Sequence, residues 1–226
     1  MLKSSKRIYL TIDDSPSIHT YEKIDFLKAH TIPAVFFCRG EFIKKYPDQV
    51  AYAIQNGFLV GNHSYSHPYF SKISLNHCYN EILKTEELIE TAYKMAGTTR
   101  LHKVIRLPFG DRGGDNSHKI QKFLKELHFC PMDFGHHSDL EFYDAPWTWD
   151  TKDYKKDLIE SPESYLKKLE DYAEKSSFPE EILLLHDFDH THHLFEITMS
   201  FLMSRDATFL PLPVSSIQPH HQKGLF

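Results

Sequence analysis

The stretch TIDDSPS places two carboxylates, Asp13 and Asp14, side by side directly after an apolar run. Reacting groups gather at the carboxyl ends of strands in parallel β/α folds, although Asp ahead of Ser-Pro-Ser is also ordinary turn vocabulary. Further on, NHSYSHP carries His63 and His67 four apart, close enough to converge on one ion if the segment makes a helical turn. Two imidazoles and one carboxylate are a usual catalytic zinc shell with a position left open for water, whereas structural zinc takes four ligands rich in cysteine. Cys38, Cys78 and Cys130 are odd in number and far apart, which gives no knuckle, redox motif or disulfide framework. Cys38, at the end of AVFFC, reads as a small buried hydrophobe. A metal that acidifies water still leaves a proton to be removed. The pair of aspartates therefore has two tasks to divide, one holding the ion and one taking the proton, and spacing does not say which does which.

Two later stretches complete a hydrolytic set. In KVIRLPFGDRGG, Arg106 ends an apolar strand, where a guanidinium could hold the catalytic carboxylate by a bidentate contact. In EILLLHDFDHTHH, His186 follows a buried strand and could protonate a leaving amine, since imidazole titrates near neutral pH. The histidines beyond it, His190, His192 and His193, read as a solvated loop and stay outside the site.

The elements that must position these groups follow from patterning. Strands are expected near 7–12, 33–38, 57–61, 103–107, 129–133, 145–150, 181–186 and 208–212, with helices near 18–30, 40–56, 74–96, 117–128, 155–175 and 193–204. The clearest helical stripe starts at Ser74 and runs through Leu75, Cys78, Tyr79, Ile82, Leu83, Leu88, Ile89 and Ala92, with Gly97 as its stop. Loops 109–117 and 133–146 are the longest irregular stretches and are expected to wall a groove. At 226 residues without repeat, low-complexity tract or linker, one domain over 1–226 is expected.

Composition narrows the partners. Against 26 Lys and Arg stand 31 Asp and Glu, a formal charge of −5, so no nucleic acid is expected to bind. Sixteen histidines and 14% aromatics suit metal ligation and flat stacking surfaces. No apolar run approaches the roughly 18 residues of a membrane span, and the basic start MLKSSKRIYL lacks the apolar core of a signal peptide. A cytoplasmic chain is the expectation. Nothing in the sequence specifies an oligomeric state.

In order, TIDD, HSYSH, RLPFG, WTWDTKDY and LLLHD resemble the five motifs of the polysaccharide deacetylases, the carbohydrate esterase family that includes chitin and peptidoglycan deacetylases. The resemblance implies an α/β fold, a distorted (β/α) barrel of seven rather than eight strands. It also implies hydrolysis of an N-acetyl group with a divalent ion, zinc first and Co2+, Ni2+ or Mn2+ as alternatives. By motif position, Asp13 would be the base, Asp14, His63 and His67 the metal ligands, Arg106 the residue orienting Asp13, and His186 the general acid, held by Asp153. Leu184 would line the pocket for the acyl methyl, and Pro108, Phe109, Trp149 and Tyr154 would shape the groove. The chain departs from the family at Ser15, where Gly is usual, at Tyr154, where Trp is usual, and at Phe109, where Tyr is common. An acetylated amino sugar or oligosaccharide is the first substrate class. Hydrolysis of a small cyclic or formyl amide on the same fold is the second reading, and a sugar- or metal-binding homologue without turnover is the third. A pure binder would not need Asp13 and His186.

Overall fold

A computed structural model describes residues 6–131 and 142–214. Its first strand, β1 (Arg7–Ser15), shows how sequence alternation builds two layers. Ile8, Leu10 and Ile12 point outward into a core shared with the surrounding helices, whereas Thr11 and Asp13 point inward, where both accept hydrogen bonds from Arg106. The same parity splits β2 (Ala34–Cys38): Phe36 and Cys38 join the outer core, and Val35 and Phe37 join a small interior cluster with Val104, Cys130 and Ala145.

The strands β3 (Leu59–Asn62), β4 (Trp149–Asp150), β5 (Glu180–His186) and β6 (Thr208–Phe209) complete a parallel sheet in the order β3-β2-β1-β5-β4, with β6 also pairing β1. Single bridges continue it from Asn62 to Ile105 and from Ile105 to Asp144. The chain from Asp144 then returns to β5, where the Thr148 N–H donates to the Ile182 carbonyl at 3.0 Å. The sheet thereby curls into a distorted (β/α) barrel. Six strands and the bridged Ile105 segment supply seven extended pieces, so the segment expected as a strand at 103–107 pairs at one residue only. The interior there is narrow: a Cβ at Gly61 would lie 2.6 Å from the Phe37 ring and 2.8 Å from Val104.

Helices α1 (Thr20–Ala29), α2 (Gly40–Lys45), α3 (Pro47–Gln55), α4 (Leu75–Met95), α5 (Ser117–Glu126), α6 (Lys156–Ile159), α7 (Pro162–Lys175) and α8 (His192–Met203) cover the outside. The helix expected over 40–56 is two, because Pro47 cannot donate back to the preceding turn and instead starts α3. Pro162 divides 155–175 in the same way, with Ser161 capping α7. Residues 129–131 are not a strand; the rest of that expected strand, and most of the 133–146 loop, fall outside the described residues. The stripe on α4 holds at Cys78, Ile82, Ile89 and Ala92, but Leu83 is exposed, while Glu81, Thr85 and Glu86 are buried in its stead. Among the described residues no helix is long and apolar enough to cross a membrane.

Candidate active site

Adjacent residues of a regular strand face opposite sides, so two neighbouring aspartates can share a cleft only if the strand is broken. It is broken here. Ile12 pairs with Phe36 and Ser15 with Cys38, so three steps along β1 match two along β2, a bulge that takes up one extra residue. Within it Asp14 adopts φ 57°, in the left-handed region, while Ser15, where the resemblance implies Gly, is not in that region and precedes a cis Pro16. The bulge turns both carboxylates into one cleft, and each is only 3% exposed.

His63 and His67 follow β3, yet the segment between them is a loop rather than the expected helical turn. Ser64 and His67 both have φ 61°, and this double reversal brings the two Nε2 atoms to 3.2 Å. The Nδ1 of His63 lies 2.7 Å from the Arg106 carbonyl, which fixes the proton on that nitrogen and leaves the Nε2 lone pair facing the cleft. Asp14 Oδ1 lies 3.5 Å from His67 Nε2 and 3.9 Å from His63 Nε2. Among the described residues these three form the one cluster able to hold a metal ion.

The electrostatics fit a cation. Burial, with Asp13 alongside, raises the Asp14 carboxyl to about 6, and its buried Oδ1 has no hydrogen-bond partner. Burial and nearby cationic groups lower both His63 and His67 to about 3, which leaves neutral imidazoles, the form that ligates. Two left-handed non-glycine ligands, each worth roughly 1–2 kcal/mol of strain, and an orphaned buried oxygen are the marks of a preformed site for one divalent ion.

Arg106 is fully buried. It touches Asp13 through one prong, not the expected two: Nη1 donates to Asp13 Oδ1 at 2.9 Å and to Thr11 Oγ1 at 2.7 Å, while Nε and Nη2 go to the carbonyls of Ala145 and Pro146. The second prong is spent on the 144–150 stretch that closes the barrel. Asp13 Oδ2 is left 3.6 Å from His63 Nε2, facing the metal cluster. His186, at the end of β5, pairs in register with Asp13. Its Nδ1 and its backbone N–H both donate to Asp153, at 2.7 and 2.8 Å. Burial alone would lower His186, but the Asp153 carboxylate prevails and raises it to about 9, so the imidazole is protonated at neutral pH.

Asp13, Asp14, His63, His67 and His186 line a cleft of about 510 Å³ at the carboxyl end of the strands, with Arg106 and Asp153 behind its wall. Leu184 forms part of its wall, as do Phe109 and Tyr154. Phe109 stacks on Tyr69 at 3.9 Å with its ring edge toward His67, and Tyr154 meets His186 edge-on. Two expected groove residues do not line it. Trp149 stacks on Tyr172 in the outer core and is 2% exposed, and Pro108 is buried. The groove indole belongs to Trp147, two residues earlier in the same WTW run. Patterning cannot distinguish the two tryptophans, because the choice depends on where the irregular 144–148 stretch crosses from Ile105 to β5. Arg39, Asp150, Lys152 and Phe188 also reach the cleft without a warning in the sequence.

A barrel with one preformed Asp-His-His cation site and a flanking protonated histidine defines a metal-assisted hydrolase architecture. Residues 2–129 match the profile of the polysaccharide deacetylases, and the chain belongs to that family. It is 39% identical over 105 residues to a peptidoglycan-N-acetylglucosamine deacetylase of Bacillus cereus (strain ATCC 14579), a match covering 46% of this chain and 36% of that protein. Over 88 residues it is 39% identical to a chitooligosaccharide deacetylase of Rhizobium leguminosarum bv. trifolii, covering 38% of this chain and 41% of that one. The matches thus span between about a third and two-fifths of these relatives. The structure is similar to the crystal structure of the Bc1960 peptidoglycan N-acetylglucosamine deacetylase, with a TM-score of 0.71 at 26% identity, covering 96% of this chain and 92% of that one.

Proposed function

We propose that this chain is a metal-dependent deacetylase that hydrolyses the N-acetyl group of an acetylated amino sugar, alone or within an oligosaccharide. The observation that carries this reading is the separation of tasks around one cleft: a cluster able to hold a cation, a second carboxylate held by Arg106, and a histidine held by Asp153. The names of the relatives support the substrate class.

Asp14, His63 and His67 would hold the ion, and the mixed nitrogen and oxygen set favours zinc. When bound, the ion acidifies a water molecule and polarises the acyl carbonyl. Asp13 accepts the proton of the attacking water at Oδ2, the oxygen that Arg106 leaves free. Arg106 fixes the carboxylate through Oδ1 and offsets its charge within the buried site. His186 gives its proton to the amine as the carbon–nitrogen bond breaks, and Asp153 keeps the ring oriented and charged until then. Water and amide thus become acetate and a free amine. Leu184 offers an apolar wall to the acetyl methyl, while Phe109, Tyr69, Trp147 and Tyr154 present ring surface to a pyranose.

Zinc-loaded protein should release acetate from N-acetylglucosamine oligomers, and should neither open ring lactams nor release formate from formamides. Turnover of the small amides alone would overturn the sugar assignment, and turnover of neither by zinc-bound protein would overturn the catalytic one.

A further inference from the structure

Buried glutamates on α4 are out of keeping with an amphipathic helix, and Glu81 is only 3% exposed. Its carboxylate is directed at the loop that carries the two histidines. Oε2 accepts the backbone N–H of Tyr65 at 3.0 Å and of Ser66 at 2.7 Å, and Oε1 accepts the Ser66 hydroxyl at 2.9 Å. His77, one turn earlier on α4, lies 3.7 Å from Oε1 and is exposed.

We infer that Glu81 is a positioning residue for the metal site: it holds the 63–67 loop in the conformation that presents two imidazoles to one ion. This inference rests on the Asp14, His63 and His67 site proposed above. The physical need is plain in the backbone. Ser64 and His67 both sit in the left-handed region, which L-residues occupy only when their surroundings impose it. The surroundings here are few. The Ser64 hydroxyl accepts the His67 N–H at 3.1 Å, Asn62 Oδ1 accepts the Ser64 N–H at 2.8 Å, and the Tyr65 and Ser66 N–H groups between them have Glu81. A carboxylate receiving two backbone N–H groups and a hydroxyl makes charge-assisted bonds, stronger than neutral ones. Without it the two central amides would seek other partners, and the loop would relax away from φ 61° at its ends. His63 is separately held by the Arg106 carbonyl, so the histidine set adrift would be His67. Glu81 is neither one of the three candidate ligands nor a residue of the cleft wall. Its whole effect passes through ligand geometry, and outer partners of metal ligands typically change affinity by about 10- to 100-fold.

The test is zinc affinity of the apo protein, measured by competition with a chromogenic chelator. Wild type should bind one zinc ion, and His63→Ala should abolish that binding. Glu81→Met should weaken affinity by about 10- to 100-fold, while Ile89→Val, a core change on the same helix with no contact to the loop, should leave it within about twofold. Should Glu81→Met fail to fold, Glu81→Asp keeps the charge but withdraws the carboxylate by one methylene, and should weaken zinc by roughly tenfold. Affinity within twofold of wild type in the Glu81 variant that folds would overturn the inference, and so would an equal loss in Ile89→Val. Those outcomes leave the metal site standing. A wild type that binds no zinc would remove the site and this inference together.

Discussion

Replacing Asp13 by Asn separates proton transfer from ion binding with a change of one atom. Asparagine can keep an oxygen where Oδ1 accepts Arg106 Nη1 at 2.9 Å, but its amide nitrogen then stands in place of Oδ2, 3.6 Å from His63 Nε2. That position can donate and can no longer accept, so the attacking water loses its base. A positioned general base contributes about 10²- to 10⁴-fold, which is roughly 2.7–5.4 kcal/mol of barrier. The fold loses less. Arg106 retains Thr11 and the carbonyls of Ala145 and Pro146, and its bond to residue 13 is kept but loses its charge assistance, about 1–1.5 kcal/mol. The assay pairs acetate release from N-acetylglucosamine oligomers with zinc content by mass spectrometry. Asp13→Asn should hold one zinc and turn over 10²- to 10⁴-fold more slowly, and added zinc should not restore the rate. Asp14→Asn should instead lose zinc and recover partly when zinc is in excess, because a neutral amide oxygen is the poorer ligand. An Asp13→Asn protein that is empty of metal, or that works within tenfold of wild type, would refute this division of roles.

Asp153→Asn should move the alkaline limb of the rate profile to lower pH. His186 works protonated, its pKa is raised to about 9 chiefly through Asp153, and activity falls as pH rises through that value; an unmoved limb with zinc retained would count against the acid role. Trp147→Ala should raise KM with little change in melting temperature, whereas Trp149→Ala should lose about 3–5 kcal/mol of stability as a core truncation; chemical denaturation and steady-state kinetics on the pair would expose a reversed assignment. Asp187 is buried against Lys23, Ser17 and Thr20 and its carboxyl is lowered: burial opposes the shift, but Lys23 prevails. A depressed carboxyl stabilises above its unfolded value, about 3.9, and that contribution fades as pH falls below it. The melting-temperature gap between wild type and Asp187→Asn should therefore be widest at neutral pH and narrow below about pH 4; a gap independent of pH would show that the charge of Asp187 is immaterial.

The one-dimensional pattern already contained the residues of the candidate site. Asp13, Asp14, His63, His67, Arg106 and His186 are legible because each lies in the last residues of a short apolar segment or just beyond it, and parallel strands deliver their carboxyl ends to one face whatever the details between them. What those details decide was legible only in part, because they depend on contacts distant in sequence. A bulge, set by how β1 registers on β2, puts adjacent aspartates on one side. The single prong of Arg106 on Asp13 follows from barrel closure, which brings Ala145 and Pro146 to its other nitrogens. Trp147 rather than Trp149 faces the cleft because the chain crosses irregularly from Ile105 to β5, where the alternation of a regular strand does not apply. Glu81 was invisible for a related reason. Helical periodicity assigns apolar residues to the buried face, but a carboxylate can take such a place when tertiary structure brings it unpaired N–H groups, and only the packed fold puts the 63–67 loop above that turn of α4.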